Sequence, residues 1–359
     1  MSQASSYFAY VGSRTTKERN ARGLGINVYR VDAKTGRWTH VQLVKDLINP
    51  SFLAFDRSGG FLYSVHGDLS DISSFMRDGK TGELKPLNRQ STEGKNPVHL
   101  AVDPTNTFMV VSNHITSTLA LLPLRPDGAL EPVCDLVKLE GKIGPHRVEQ
   151  PFAKPHQAVF DPSGRYILVP DKGLDRVFCY AIDASRKKLV QAAPPAEMRE
   201  GAGPRHIAFH PGGAFAYVIN ELDSTLVACR FDAATGALAP FQLVSSLPDT
   251  FTGNSRAAEI EVSPDGRFVY ASNRGFDSIG VYAIDAKTGR VTPVGWQPSG
   301  GKTPRFFALD PAGNFLFAAN EDSDAIVSFA IDKQRGLLKP TGETVATGSP
   351  VCIVFKPAV

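Results

Sequence analysis

The sequence predicts an all-β protein, a seven-bladed β-propeller whose ring closes by pairing the C-terminal innermost strand with N-terminal strands. Three observations predict it. First, a turn phrase recurs: FDRSGG from Phe55, VDPTN from Val102, FDPSGR from Phe160, FHPGG from Phe209, VSPDGR from Val262 and LDPAGN from Leu309. Its anchors, Asp56, Asp103, Asp161, His210, Ser263 and Asp310, are about 47 to 58 residues apart, the size of a four-stranded blade. Second, a strand, a D-x-x-T-G type turn and another strand occur seven times, from VYRVDAKTGRWT to SFAIDKQRGLLKP. Third, 32 Gly and 26 Pro recur at intervals, as tight turns between many short strands require.

Each element follows from those phrases. Asp opens a turn by hydrogen-bonding nearby backbone, and Gly supplies the left-handed position that ends it. The inner-turn phrase has six copies and the outer one seven. The missing copy lies at the C-terminus, where PVCIVFKP (Pro350–Pro357) matches PRHIAFHP and the chain stops. YFAYVGS and GINVYRVDAKTGRW therefore complete that blade, and closure removes the free strand edges. One domain spanning 1–359 is expected, with no linker.

Bulk properties exclude several classes. With 359 residues, a net charge of +3 and no lysine/arginine block, nucleic-acid binding has no support. No stretch approaches the ~20 apolar residues of a membrane span, so no membrane partner is expected. The N-terminus, MSQASSYFAYVGSRTT, lacks a basic start followed by an apolar run, so a cytoplasmic location is expected; the oligomeric expectation is a monomer or homodimer. Cys134, Cys179, Cys229 and Cys352 are dispersed without C-x-x-C spacing and read as small buried hydrophobes in a reducing compartment.

Both turn phrases lie at one end of an up-and-down blade, so the starts of the inner strands share the other end. Aligned on Pro50, Pro97, Pro155, Pro204, Ala257, Pro304 and Pro350, the next residue is Ser51, Val98, His156, Arg205, Ala258, Arg305 or Val351. The one after is Phe52, His99, Gln157, His206, Glu259, Phe306 or Cys352. At the ends of the second strands stand His66, Asn113, Asp171, Asn220, Asn273 and Asn320, a uniform polar column that reads as loop-bonding structure. The column after it varies: Gly67, His114, Lys172, Glu221, Arg274, Glu321. Variation within a repeat, confined to one end near the axis, is the pattern of a ligand pocket.

Arg205, Arg274 and Arg305, with Arg256, Lys172 and Arg14, converge on that end and suit a carboxylate or phosphate. His156 is the expected general base or acid, oriented by Glu221 or Glu259. His99, His114 and His206 are secondary candidates, with His99, His206 and Glu259 placed as substrate contacts. His66 and His210 read as structural, and the long connection containing His146 as a lid. Glu221, Glu259 and Glu321 could meet at the axis, yet interleaved arginines would repel a cation, so neither a metal nor a cofactor is expected. No G-x-S-x-G elbow, P-loop or dinucleotide fingerprint is present.

GAGPRHIAFHP followed by AYVINEL, then SRAAEIEVSPDGRFVYASNR, and KPHQAVFDPSGRYILVPDKGLDRV resemble the lactonase family of seven-bladed propellers. That family includes propeller-type 6-phosphogluconolactonases and fungal 3-carboxy-cis,cis-muconate lactonizing enzymes. The resemblance spans nearly the whole chain. It implies a catalytic site at the positions of His156, Arg205, Glu221 and Arg274, with a small anionic lactone as substrate. It leaves three readings: a hydrolase, foremost of 6-phosphogluconolactone; a carboxymuconate-type cycloisomerase or lactonase for another acid; and a non-enzymatic scaffold.

Overall fold

The computed structural model describes residues 6–358. Seven four-stranded antiparallel sheets surround an axis. The first complete blade runs from the centre outward as Pro50–Phe55, Phe61–His66, Asp71–Arg77 and Leu84–Ser91. The last is composite: Pro350–Pro357 is innermost, followed by Ser6–Ser13, Ile26–Asp32 and Trp38–Val44. Its register runs from Tyr7 opposite Pro357 to Ser13 opposite Pro350, which closes the ring as the sequence predicts.

The repeated turns form as their chemistry dictates. At the inner turn Asp56 Oδ1 accepts from Phe61 N at 2.9 Å, and Asp103, Asp161 and Asp310 repeat that bond to Phe108, Tyr166 and Phe315. His210 stands in for Asp by accepting from Gly212 N through Nδ1 at 2.9 Å, and its Nε2 donates to Gly266 O of the next blade at 3.1 Å. At the outer turn Asp32 Oδ1 accepts from Lys34 N and Thr35 N, and Gly36 closes it at φ +71°. In the first blade Arg77 N donates to Gly60 O at 2.8 Å, so the inner and outer turns do share one end.

Between blades the core is apolar. Ile219 and Leu226 of one blade bury against Ile260, Val269 and Ala271 of the next, each fully buried side chain being worth about 1.5–3 kcal/mol. Buried tyrosines add a recurring clip across blades: Tyr10, Tyr217 and Tyr270 donate their hydroxyls to Gly82, Gly289 and Gly336 O at 2.8–3.1 Å. The third blade departs from the alignment. Its inner strand is only Val159–Phe160 plus a bridge from Pro155 to Asp171, because the incoming 139–154 loop takes Asp171 Oδ1 through Lys154 N. Among the described residues no helix is long and apolar enough to cross a membrane. All four cysteines are free.

Candidate active site

The inner strands enter this end through a shared device. Asn49, Asn96, Gly203, Thr303 and Ser349, each preceding an anchoring proline, all have left-handed φ. The pairing register then slips between Pro204 and His206, and equally after Pro50, Pro97, Ala257 and Pro304. A bulge sets two residues against one, so neighbours need not point to opposite faces. Arg205 and His206 are therefore both buried in one cluster, with Arg205 Nη1 3.4 Å from His206 Nε2.

Glu221 is the hub. Its Oε1 lies 3.2 Å from Lys172 Nζ and 3.7 Å from Arg256 Nη1; its Oε2 lies 3.2 Å from both Arg205 Nε and Arg274 Nη2. Burial alone would raise its pKa, but Arg274, Lys172 and Arg205 outweigh that and hold the carboxyl well below the usual range. A second carboxylate, Glu149, bonds Lys172 at 3.0 Å and Arg256 at 2.7 Å. Burial raises it too, but the bonds from Arg256 and Lys172 bring it down to about 2. Four cations thus share two carboxylates. A close pair at an effective dielectric of about 20 gains about 4 kcal/mol, so the excess cations keep this mouth attractive to an anion.

Both central arginines are fixed yet incompletely used. Arg205 Nη1 donates to Ala258 O at 2.6 Å and Arg274 Nη2 to Ala257 O at 2.9 Å. Their Nε groups are buried without a hydrogen-bond partner; Glu221 lies near Arg205 Nε but outside bonding angle. Unspent buried donors are rare in folded proteins and mark an acceptor still to come. Burial and the charges of Arg274 and Arg305 push the Arg205 guanidinium down to about 9, still cationic at neutral pH.

Three imidazoles line the cluster edge to edge: His114 to His156 at 5.3 Å between centroids, and His156 to His206 at 5.1 Å. Burial, then Arg205 and His206, hold His156 well below 6.5, so it is neutral near pH 7. His156 Nδ1 is enclosed without a partner. His114 is brought down to about 3 by burial first, and its Nδ1 donates to Pro155 O at 3.2 Å.

Several expectations need correction. Neither Glu221 nor Glu259 orients His156: Glu221 is taken by cations, and Glu259 Oε1 accepts from His206 Nδ1 at 2.8 Å. The step from Arg205 to His206 at the bulge decides which imidazole meets the carboxylate. Glu221, Glu259 and Glu321 do not converge; Glu321 sits 3.9 Å from Arg305, and no three potential ligands among the described residues are placed to hold a metal. His99 continues the row of imidazoles, 5.8 Å between centroids from His206. It stacks on Phe52 at 3.9 Å deeper in the channel and accepts from Ala158 N. Arg305 and buried Arg14 flank the cluster.

His146 is exposed, its Nδ1 accepting from Glu149 N within its own turn. The residue that loop delivers to the cluster is Glu149, which no repeat column contains. Its only sequence signal is an acid inside the long connection. Gln150 pins the loop, donating to Lys172 O and Asp175 Oδ1. The uniform polar column is structural: Asn113, Asn273 and Asn320 each donate to a loop carbonyl. His66 bridges Ile48 O and Ser73 Oγ.

The family of lactonases with a seven-bladed β-propeller matches residues 8–355. The 6-phosphogluconolactonase of Bacillus subtilis is 34% identical over 307 residues, 85% of each chain. That of Formosa agariphila is 34% identical over 84% of this chain and 86% of its own. The structure of a periplasmic gluconolactonase from Pseudomonas aeruginosa superposes with a TM-score of 0.90 at 29% identity, covering 99% of this chain and 100% of that one. The chain belongs to the lactonase family of seven-bladed β-propellers and is a lactone hydrolase.

Proposed function

We propose that this enzyme hydrolyses an anionic sugar lactone, 6-phosphogluconolactone foremost, in the cytoplasm, where a phosphorylated sugar is retained. The observation that carries the reading is the cluster itself: four cations around Glu221 and Glu149, with a neutral imidazole beside them. The names of the Bacillus and Formosa relatives support the substrate.

His156 takes a proton from water as the hydroxide adds to the ring carbonyl. The unspent Nε donors of Arg205 and Arg274 receive the oxyanion. Collapse breaks the ring C–O bond, and the departing alkoxide takes the proton back from His156, giving the open acid. Glu221 holds the two arginines and Lys172 in place. Lys172 and Arg256 seat the phosphate, for which Glu149 yields its bonds.

Turnover of 6-phosphogluconolactone and of gluconolactone, with carboxymuconolactone as a control, tests this in wild type, His156→Gln and Arg205→Met. Preference for the phosphorylated lactone, lost in both variants, is expected. Equal rates in the variants and wild type would remove the site. Failure to turn over any of the three would remove the substrate.

A further inference from the structure

Departure from repetition also marks the opposite mouth of the channel. Four residues past the anchors of the inner strands stand Ala54, Ala101, Val159, Ala208, Glu261, Ala308 and Val354: small apolar residues and one glutamate. Two further on, the turn-anchor column holds Asp, His or Ser except in the closing blade, where it is Lys356. The next column is proline in every blade except at Arg57. Three unrelated breaks at one end have no structural reason in common.

They surround one space. The small side chains leave a cavity of about 560 Å³ whose wall includes Phe52, Phe55, Phe160 and Phe355, with Glu261, Arg57 and Lys356 also lining it. That volume falls within the range of small-molecule sites. Lys356 is half-buried with its Nζ 5.3 Å over the Phe55 ring. Arg57 donates to Val102 O, and nearby Arg77 to Gly59 O and Pro357 O. Among the described residues none of these three cations pairs with a carboxylate; Asp56, the nearest acid, is engaged by its own turn. Unpaired cations over an aromatic-walled hollow fit an amphiphilic anion. Lys356 lies two strand residues from the level of Glu261, about 7 Å at strand rise, roughly the span of a substituted benzene ring.

We propose that this mouth is a second ligand site, for a small aromatic carboxylic acid bearing a hydroxyl at its far end. The carboxylate meets Arg57 and Lys356, the ring packs on the phenylalanines, and the hydroxyl reaches the Glu261 carboxyl. Burial, with the charge of Glu259 adding, pushes that carboxyl well up, so it both donates and accepts. Of the candidate active-site residues only His99 lines this space, so the ligand does not compete with the lactone.

The test is titration of 4-hydroxyphenylacetate and phenylacetate, followed by calorimetry and ligand-observed NMR, beside lactone turnover. The hydroxylated acid should bind wild type more tightly than phenylacetate without inhibiting turnover. Arg57→Met with Lys356→Met should weaken it by about tenfold, the loss of a charge-assisted contact, and Ala308→Leu, which intrudes on the cavity wall where the ring packs, should also weaken it. Both should leave turnover unchanged. If Ala308→Leu fails to fold, the rim pair decides. No binding at millimolar concentration, equal affinity in the rim variant, or competition with the lactone would each overturn the proposal.

Discussion

The two ends of the same seven inner strands obey opposite rules. At the turn end, Asp56, Asp103, Asp161 and Asp310 perform one task four times, each accepting the backbone N–H five residues on. At the other end, Lys172, Glu221 and Arg274 occupy equivalent positions in successive blades and differ in charge, shape and partner. Repetition satisfies local backbone demands that every blade shares. Divergence is tolerated only where the side chains satisfy one another across blades, and there it builds a site that no single blade could hold. Substitutions at the two ends should therefore fail in different ways.

The largest expected effect is chemical. His156→Gln should lower kcat for the lactone by about 10²–10⁴-fold, the usual worth of a positioned base, with an unchanged melting temperature. Next comes the hub. Glu221→Ala leaves Arg205 and Arg274 without their carboxylate in a buried place and Lys172 with Glu149 alone, at about 3–5 kcal/mol in a denaturant titration. Removing a turn anchor strands neutral donors instead of charges, most of them able to reach water: Asp103→Ala should cost about 1–3 kcal/mol, the penalty for an unsatisfied buried donor such as Phe108 N, with kcat intact. Equal stability losses at the two positions would erase the contrast between the ends.

Much of this division is legible in the sequence because the repeat itself supplies an alignment. The turn anchors, the closure by Pro350–Pro357 and the end that gathers His156, Arg205, Glu221 and Arg274 all follow from period and turn chemistry. What cannot be read is which acid meets which base. Strand alternation is the only rule available, and the slip between Pro204 and His206 suspends it where Arg205 and His206 both turn inward. Glu149 is hidden for another reason: it comes from a loop outside the repeat, and only folding brings it 2.7 Å from Arg256.

Smaller effects sharpen the comparison. Glu149→Gln releases Lys172 and Arg256, so the KM for a phosphorylated lactone should fall several-fold while that for uncharged gluconolactone stays put, since a partly exposed pair is worth about 1 kcal/mol or less. An equal change for both substrates would mean that Glu149 does not compete with the anion. The pH profile gives the finest reading. Burial and Arg205 depress His156 below 6.5, so its neutral form persists into acid and the acidic limb of kcat/KM should lie below 6.5. A limb at or above 6.5 would assign the base to another group.

The most direct measurement of the central claim, that one mouth of the ring grips an anionic lactone, is a structure with 6-phosphogluconate bound. The phosphate should displace Glu149 from Lys172 and Arg256, with the new carboxylate against Arg205, Arg274 and His156. Product seated at the turn end, or touching none of those five residues, would contradict it.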